Sequence, residues 1–177
     1  MIIGIDPSLT NTAVCIGTGV HEGEFEIKTF SSKNNGDTVS KRIDRYDALV
    51  ADITDFVKRD EPISGIFIEG YAFGARDPQN KLGEFGGILR YYLVDVAEVY
   101  EVAPQRLKKF VCGKGGKGAT KNAMGANVVK KWGHVFDSDD EVDAFGLFAL
   151  GLYVMNRNQE APTQPMREVV QAIRERM

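Results

Sequence analysis

Two short apolar segments of this chain end on a carboxylate, and they restrict the folds that are possible. Residues 2–5 are apolar or glycine and are closed by Asp6, and residues 65–68 are likewise closed by Glu69. Neither segment alternates apolar with polar side chains, so each is expected to be a strand buried on both faces. Such strands need a sheet that is covered by helices on both sides. The 177 residues suffice for one domain of this kind and are too few for two.

The other elements are predicted from turns and apolar spacing. Strands at 12–16 and 24–30 follow the first strand after short polar turns, which favours an antiparallel meander. A long amphipathic helix is capped by Asp37 or Thr38 and ends near Asp60. The remaining predictions are a helix at 80–96, a strand at 99–102, a helical turn at 105–111, a Thr120-capped helix ending near Trp132 and a helix from about Ser138 to Met155.

This order predicts an α/β fold with a five-stranded mixed sheet flanked by helices. Three antiparallel strands followed by two parallel ones are the arrangement of the ribonuclease H-like fold. We expect one nuclease domain over residues 1–157. Residues 158–177 are polar and contain two prolines, and we expect them to form a loosely attached helical extension.

Four acidic residues are predicted to meet at one place. A helical crossover before the fourth strand places it parallel to the first, so that Asp6 and Glu69 end side by side. Asp140 and Asp143 are three residues apart on a helix and share one of its faces. Carboxylates this close repel one another, and a divalent cation removes the conflict. Hard oxygen ligands suit Mg²⁺, with Mn²⁺ as a substitute.

Two such ions, about 4 Å apart, are suited to hydrolysis of a phosphodiester bond. The chain offers no convincing Ser-His-Asp or Cys-His set as an alternative. Some of these acids also have a structural interpretation: Asp6 precedes a proline, as turn residues do, and acids that begin a helix complement its dipole, although this explains Asp143 poorly. The dipole suffices to explain Asp139 and Glu141. Glu69 is the hardest to explain structurally, because an unpaired charge in a buried run is costly.

The charge distribution points to nucleic acid. Residues 102–136 contain no acid and carry a charge of +8, which leaves −11 for the rest of a chain whose net charge is −3. A positive surface beside an acidic one suits a DNA nuclease, because the first holds phosphates and the second holds metal. The alternative is a solvated basic surface. The predicted DNA-binding lysines are Lys108, Lys109, Lys114, Lys117 and Lys121, and the Gly-Lys loop at 113–118 is interpreted as a phosphate clamp.

Two aromatic residues follow Glu69 closely. Tyr71 and Phe73 suit stacking on an unpaired base at a junction, although core packing explains either equally well. Gly83, Gly86 and Gly87 weaken the helix at 80–96 but allow a second helix to approach closely, so this helix is the predicted dimer face.

The remaining titratable residues indicate no further chemistry. His134 is interpreted as a surface residue, with proton transfer as the alternative, and Cys15 and Cys112 as reduced packing residues. There is no stretch of 18 apolar residues and no signal peptide, so we expect no membrane association and a cytoplasmic location, in a bacterial cell or a phage-infected host.

Four sequence motifs, taken in order, resemble those of one known family. They are Gly4-Ile5-Asp6-Pro7-Ser8, Ile66-Phe67-Ile68-Glu69, Val102-Ala103-Pro104 followed by Lys108, and Asp140-Glu141-Val142-Asp143-Ala144. Over residues 1–155 the chain is similar to the RuvC family of Holliday junction resolvases. The resemblance implies a homodimer that makes paired nicks in four-way DNA junctions with Mg²⁺ and leaves 5′-phosphate and 3′-hydroxyl ends. It also implies that Asp6, Glu69, Asp140 and Asp143 are the catalytic acids.

By the same resemblance, Lys108 and Lys121 match two important lysines of the family. Gly70 stands where cellular members have glutamine, and Ser8 stands where many have glycine. With the Gly-Lys loop and the long tail, these departures resemble phage-borne members. We therefore expect that a branch-migration complex is not required.

Three other functions are open on sequence grounds. A ribonuclease H acting on RNA–DNA hybrids would use the same carboxylates, and a non-catalytic junction-binding module would share the fold. An actin-like ATPase or sugar kinase also opens on a Gly-Ile-Asp strand, but it needs two such domains, which 177 residues cannot supply.

Overall fold

The computed structural model describes residues 1–34, 36–58, 62–71, 78–115 and 120–177, with the side chains at 78–80 and 121 excepted. The predicted helix end near Asp60 and the candidate site residues Phe73 and Lys117 lie outside the described residues. The elements are β1 (Ile2–Asp6), β2 (Asn11–Gly17), β3 (Phe25–Ser31), α1 (Val39–Lys58), β4 (Gly65–Glu69), α2 (Pro78–Leu93), β5 (Val99–Val102), α3 (Pro104–Cys112), α4 (Lys121–Trp132), α5 (Asp139–Met155) and α6 (Gln164–Arg174).

The five strands form one mixed sheet in the order β3-β2-β1-β4-β5. β2 pairs antiparallel with both β1 and β3, whereas β4 pairs parallel with both β1 and β5. The predicted α/β fold with a five-stranded mixed sheet is confirmed. Every residue of the central strand β1 is buried, as its uninterrupted apolar sequence predicts.

Helices cover both faces of the sheet, and strand alternation decides which β1 residue faces which layer. Ile3 and Ile5 belong to the core formed with α1 and α2. Ile2 belongs to the other core, which is built around α5 together with α3, α4 and α6. Asp6 shares the face of Ile2, so its carboxyl group is directed towards the α5 layer.

Helix α5 lies unusually close to β1, and the contact point is Gly4. A Cβ atom at Gly4 would lie 2.2 Å from the Ala144 carbonyl oxygen and 2.3 Å from the Phe148 nitrogen. The glycine is therefore required by the approach of two backbones, with no side chain between them. Since Asp143 directly precedes Ala144, this contact also sets the height of the α5 acids above the sheet.

The C-terminal helix α6 corrects one expectation. The sequence predicts a loosely attached tail, but α6 buries an apolar stripe composed of Met166, Val169, Val170 and Ile173. Arg174 donates hydrogen bonds to the carbonyl oxygens of Tyr153 and Val154, at 2.6 and 3.1 Å. The stripe has helical spacing, and the polar residues around it obscured it. Helix α6 is thus an integral part of the core on the α5 side.

Helix α2 begins at Pro78 and ends at Leu93, three residues before the predicted end at position 96. The backbone nitrogens of Val96 and Ala97 both donate to the Leu93 carbonyl oxygen and close the helix in a turn. None of the described helices is both long and apolar enough to cross a membrane.

Replacing Gly4 by alanine tests the close contact of α5. The new methyl group would meet backbone atoms, which cannot rotate away, so Gly4→Ala is expected to lower the free energy of unfolding by about 3 kcal/mol. Gly125→Ala in α4 is the matched control, because a Cβ there meets nothing within 4 Å. It should raise stability by about 0.5–1 kcal/mol. Chemical denaturation measures both, and a Gly4→Ala variant as stable as wild type would contradict the account.

Candidate active site

The strand register places Asp6 and Glu69 next to each other. β1 and β4 run parallel, and their pairing extends to Ile5 opposite Ile68, one position before the two acids. Alternation then directs both carboxyl groups to the α5 face. The Glu69 carboxyl group is then close enough to raise the pKa of Asp6, through its charge and through side-chain hydrogen bonding.

Asp6 lies at the centre of a larger group of charges. Its side chain is buried, and burial followed by the charges of Glu69, Asp143 and Asp140 raises its pKa from 3.8 to about 9. Both α5 acids are therefore close enough to act on Asp6, although they are more than 130 residues away in sequence. The structure thus brings the four predicted acids into one electrostatic cluster, which we call the acidic cluster (Asp6, Glu69, Asp140 and Asp143).

Glu141 fixes the start of α5 above the sheet. The Ser138 side chain caps the helix by accepting a hydrogen bond from the Glu141 nitrogen, at 3.2 Å. The Glu141 carboxylate accepts from the Asp137 nitrogen at 2.9 Å and from the Thr29 hydroxyl on β3 at 3.2 Å. Sequence reasoning assigned Glu141 only to the helix dipole and missed this anchor, because Thr29 is 112 residues away.

The donor chemistry of the acidic cluster fits a hard divalent cation. All four side chains offer carboxylate oxygens, and burial together with neighbours of the same charge raises the pKa of Asp6. Among the described residues, however, no three His, Cys, Asp or Glu side chains are arranged as a ready-made metal-binding group. The two observations are compatible, because charges interact over longer distances than those at which ligands coordinate. The cluster has the composition of a metal site but not yet its converged geometry.

Part of the basic stretch lies beside these acids. The thiol of Cys112, at the end of α3, is influenced by both. Burial raises the pKa of this thiol, and the negative charge of Asp143 raises it as well. The positive charges of Lys131, Lys114 and Lys108 lower it. Cations of residues 102–136 and an acid of α5 therefore act on the same atom. Near Cys112, the basic stretch and the acidic cluster therefore come within electrostatic range of one another.

The lysines of the basic stretch have different environments. Lys109 forms an ion pair with Glu168 of α6, at 2.6 Å. Lys131 is half-buried and donates to the Val111 carbonyl oxygen at 2.6 Å, so it supports the α3–α4 contact. Lys114 is exposed and Lys108 half-buried. Lys121 begins α4, and its side chain lies outside the described part of the chain.

Tyr71 is attached to α2 and still accessible. Its ring is 41% exposed, and the guanidinium carbon of Arg90 lies 4.4 Å from the ring centroid. Arg90 Nη1 also approaches the Tyr71 hydroxyl at 3.2 Å. The side chain is therefore supported on one side and open on the other, an arrangement compatible with stacking.

His134 lies in an aromatic cluster away from the acidic cluster. Its Nε2 atom is 2.6 Å from the Val20 carbonyl oxygen, and its ring centroid is 4.9 Å from that of Phe25. Val20 and Phe25 lie near Gly17, the last residue of β2, which pairs with Ile2 at the start of β1. Asp6 is at the other end of β1. A surface cavity of about 570 Å³ opens at the Ile2 end. Proton transfer by His134 at the acidic cluster has no geometric support.

Several solved structures have a similar fold, among them structures of RuvC and of a Holliday junction resolvase. Thermus thermophilus RuvC superposes with a TM-score of 0.63 and 17% identity, over 84% of this chain and 90% of that one. The same protein in complex with a Holliday junction substrate gives a TM-score of 0.67 and 14% identity, over 84% and 89%. The yeast mitochondrial Holliday junction resolvase Ydc2 gives 0.53 and 12%, over 98% and 83%.

No protein-family model matches the sequence, and no curated protein matches it. At identities below 20% the structural likeness establishes the fold. The chain has the ribonuclease H-like fold in its RuvC-type form, as the element order and the sequence motifs predict.

Replacing Asp6 by asparagine tests the electrostatics of the acidic cluster. Because the pKa of Asp6 is higher in the folded state than in the unfolded chain, the folded state retains a proton that the unfolded chain releases above about pH 4. The stability of the metal-free protein therefore falls as pH rises from about 4 to about 9. Asp6→Asn removes this cost and should raise the melting temperature in EDTA, by more at about pH 8 than at about pH 5.

The exposed Asp52 on α1 provides the control, since Asp52→Asn should leave the pH dependence as it is in wild type. Thermal denaturation of the three proteins across this pH range measures the effect. A change in melting temperature on Asp6→Asn that is negative, or the same at every pH, would contradict the account.

Proposed function

We propose that this chain is a structure-selective endodeoxyribonuclease that resolves four-way DNA junctions. The observation that carries the proposal is the acidic cluster, which forms at one edge of a RuvC-type sheet and beside a basic surface. The similar solved structures, a RuvC in complex with a Holliday junction substrate and a mitochondrial resolvase, support the choice of substrate.

In this proposal Asp6, Glu69, Asp140 and Asp143 are the catalytic acids and hold two Mg²⁺ ions, which Mn²⁺ can replace. Bound ions would supply Lewis-acid chemistry for phosphodiester hydrolysis by activating the attacking water and neutralising the leaving oxygen. We assign Asp6 as the central ligand, because the charges of Glu69 on β4 and of Asp143 and Asp140 on α5 all act on it. Its proton is released when positive charge is added, since an opposite charge lowers a carboxyl pKa.

The basic stretch binds the DNA backbone. Lys108 and Lys114 act electrostatically on Cys112, as Asp143 of the acidic cluster does, and we assign Lys117 and Lys121 to the same surface from the sequence alone. Lys109 contributes less, because Glu168 already neutralises it. Tyr71 is suited to stack on an unpaired base at the junction centre, and Phe73 is a second candidate.

Paired nicks require two active sites, so we propose a homodimer formed through α2. The helix presents Tyr91, which is 72% exposed, and Val94 directly after its end is 59% exposed. A Cβ atom at Gly83 or Gly87 would meet nothing within 4 Å, so this part of α2 is open to a partner helix. As in phage-borne members, we expect no requirement for a branch-migration complex.

Cleavage assays with three substrates distinguish the candidate functions. The protein is incubated with a four-way junction, a linear duplex and an RNA–DNA hybrid, with Mg²⁺ and with EDTA. We expect symmetric cuts confined to the junction, only with Mg²⁺, and a loss of at least about 100-fold in rate for Asp6→Asn because the central ligand is removed. Asp52→Asn should cleave like wild type.

Each alternative function has its own outcome in this assay. Cleavage of the hybrid alone would identify a ribonuclease H, and Mg²⁺-independent binding of the junction without cuts would identify a binding module. Junction cleavage that survives Asp6→Asn would overturn the assignment of the acidic cluster.

The salt dependence of junction binding tests the role of the lysines. The logarithm of the binding constant falls linearly with the logarithm of the salt concentration, and each lost phosphate contact should make this slope less steep by about 1. We expect this full change for Lys114→Gln and a smaller one for Lys109→Gln, since Glu168 competes with phosphate for Lys109. Binding measured in Ca²⁺, which avoids cleavage, gives the slopes. Equal changes for the two variants would show that the Lys109–Glu168 pair does not persist on DNA.

A further inference from the structure

We infer that Arg90 is a positioning residue that fixes the Glu69 end of β4 and the Tyr71 ring with a single guanidinium group. The inference rests on the proposed function, in which Glu69 is a metal ligand and Tyr71 stacks on DNA. It concerns a residue of α2 that lies outside the acidic cluster and the basic stretch.

The Arg90 side chain makes contacts in four directions. Its Nε donates to the Glu101 carboxylate at 2.6 Å, and its Nη2 donates to the Glu69 carbonyl oxygen at 2.9 Å. Its Nη1 donates to the Gly86 carbonyl oxygen at 3.0 Å and lies 3.2 Å from the Tyr71 hydroxyl. The side chain is 16% exposed, whereas that of Glu101 is 53% exposed. Arg90 thus connects α2, β4, β5 and the segment that follows Glu69.

The contact with Glu69 comes where the sheet ends. Pairing of β4 with β1 stops at Ile68, and its pairing with β5 stops at Glu69, opposite Val102. The bond from Arg90 holds the carbonyl group of the residue whose side chain belongs to the acidic cluster. The backbone of a residue sets the origin of its side chain, so this bond, together with the pairing of Glu69 opposite Val102, fixes the point from which the Glu69 side chain extends. A metal ligand tolerates displacements of only about 0.5 Å.

The same guanidinium holds Tyr71 two residues further on. Its central carbon lies 4.4 Å from the ring centroid, at cation–π distance. One arginine therefore sets both a proposed metal ligand and a proposed DNA-stacking residue. Lysine cannot replace Arg90, because a single ammonium group cannot reach Glu101, Glu69 and Tyr71 at once. It also lacks the planar arrangement of donors that a guanidinium group has.

Arg90→Gln and Arg90→Lys test the role, and the first readout is Mg²⁺ binding to the DNA-free protein, measured by calorimetry. We expect both variants to bind Mg²⁺ about tenfold more weakly than wild type, as for loss of other groups that orient metal ligands. The Mg²⁺ concentration for half-maximal junction cleavage should rise by the same factor. The lysine variant is expected not to rescue binding, although it keeps the charge.

Arg42→Gln is the matched control. Arg42 also makes a two-point contact with a carboxylate, from Nε and Nη2 to Glu84 of α2 at 3.0 and 2.9 Å, and its side chain is 18% exposed. Its loss should lower the melting temperature about as much as the loss of Arg90. Mg²⁺ affinity should stay at the wild-type value, because Arg42 does not contact β4 in any of its described bonds.

Three outcomes separate the inference from the proposed function. Wild-type Mg²⁺ affinity in Arg90→Gln, or an equal loss in Arg42→Gln, would overturn the positioning role while leaving the nuclease intact. A wild-type protein that binds Mg²⁺ but cuts no junction would refute the proposed function, and the Arg90 result would still stand. A wild-type protein that binds no Mg²⁺ would overturn both.

Discussion

The close contact of α5 with β1 at Gly4 is the constraint on which the candidate site depends. Backbone meets backbone there, since a Cβ atom would lie 2.2 Å from the Ala144 carbonyl oxygen. Asp143 directly precedes Ala144, and Asp6 lies two residues beyond Gly4 on the same face of the strand. One glycine therefore brings a helix from the end of the chain to the carboxylate at its beginning. The Glu141 bond to Thr29 holds the same helix at its first turn.

This geometry concentrates negative charge in a poorly solvated place, and the protein accommodates it by retaining a proton on Asp6. The arrangement costs stability in the metal-free protein, which natural sequences accept chiefly at functional sites. The positive charge of residues 102–136 lies close enough to act on Cys112, on which Asp143 of the acidic cluster also acts. A cation and a polyanionic substrate would together complete the balance of charge.

Local sequence patterns predicted the parts of the site that depend on strand and helix periodicity. The uninterrupted apolar runs before Asp6 and Glu69 indicated central parallel strands, and the three-residue spacing of Asp140 and Asp143 indicated a shared helix face. The roles of Glu141, Lys109 and Arg90 depend on partners that are 112, 59 and 21 residues away. No periodic pattern encodes such pairs. The apolar stripe of α6 was present in the sequence, but its polar surroundings favoured a loose tail.

The most direct test of the account is the location of Mn²⁺ in crystals of the protein, identified by its anomalous scattering. We predict Mn²⁺ within about 2.2 Å of carboxylate oxygens from Asp6, Glu69 and at least one of the two α5 acids. Such a result would show that the acidic cluster closes around the ion. Mn²⁺ bound elsewhere, or a cluster that stays open at saturating Mn²⁺ in a protein that cuts junctions, would contradict the central claim.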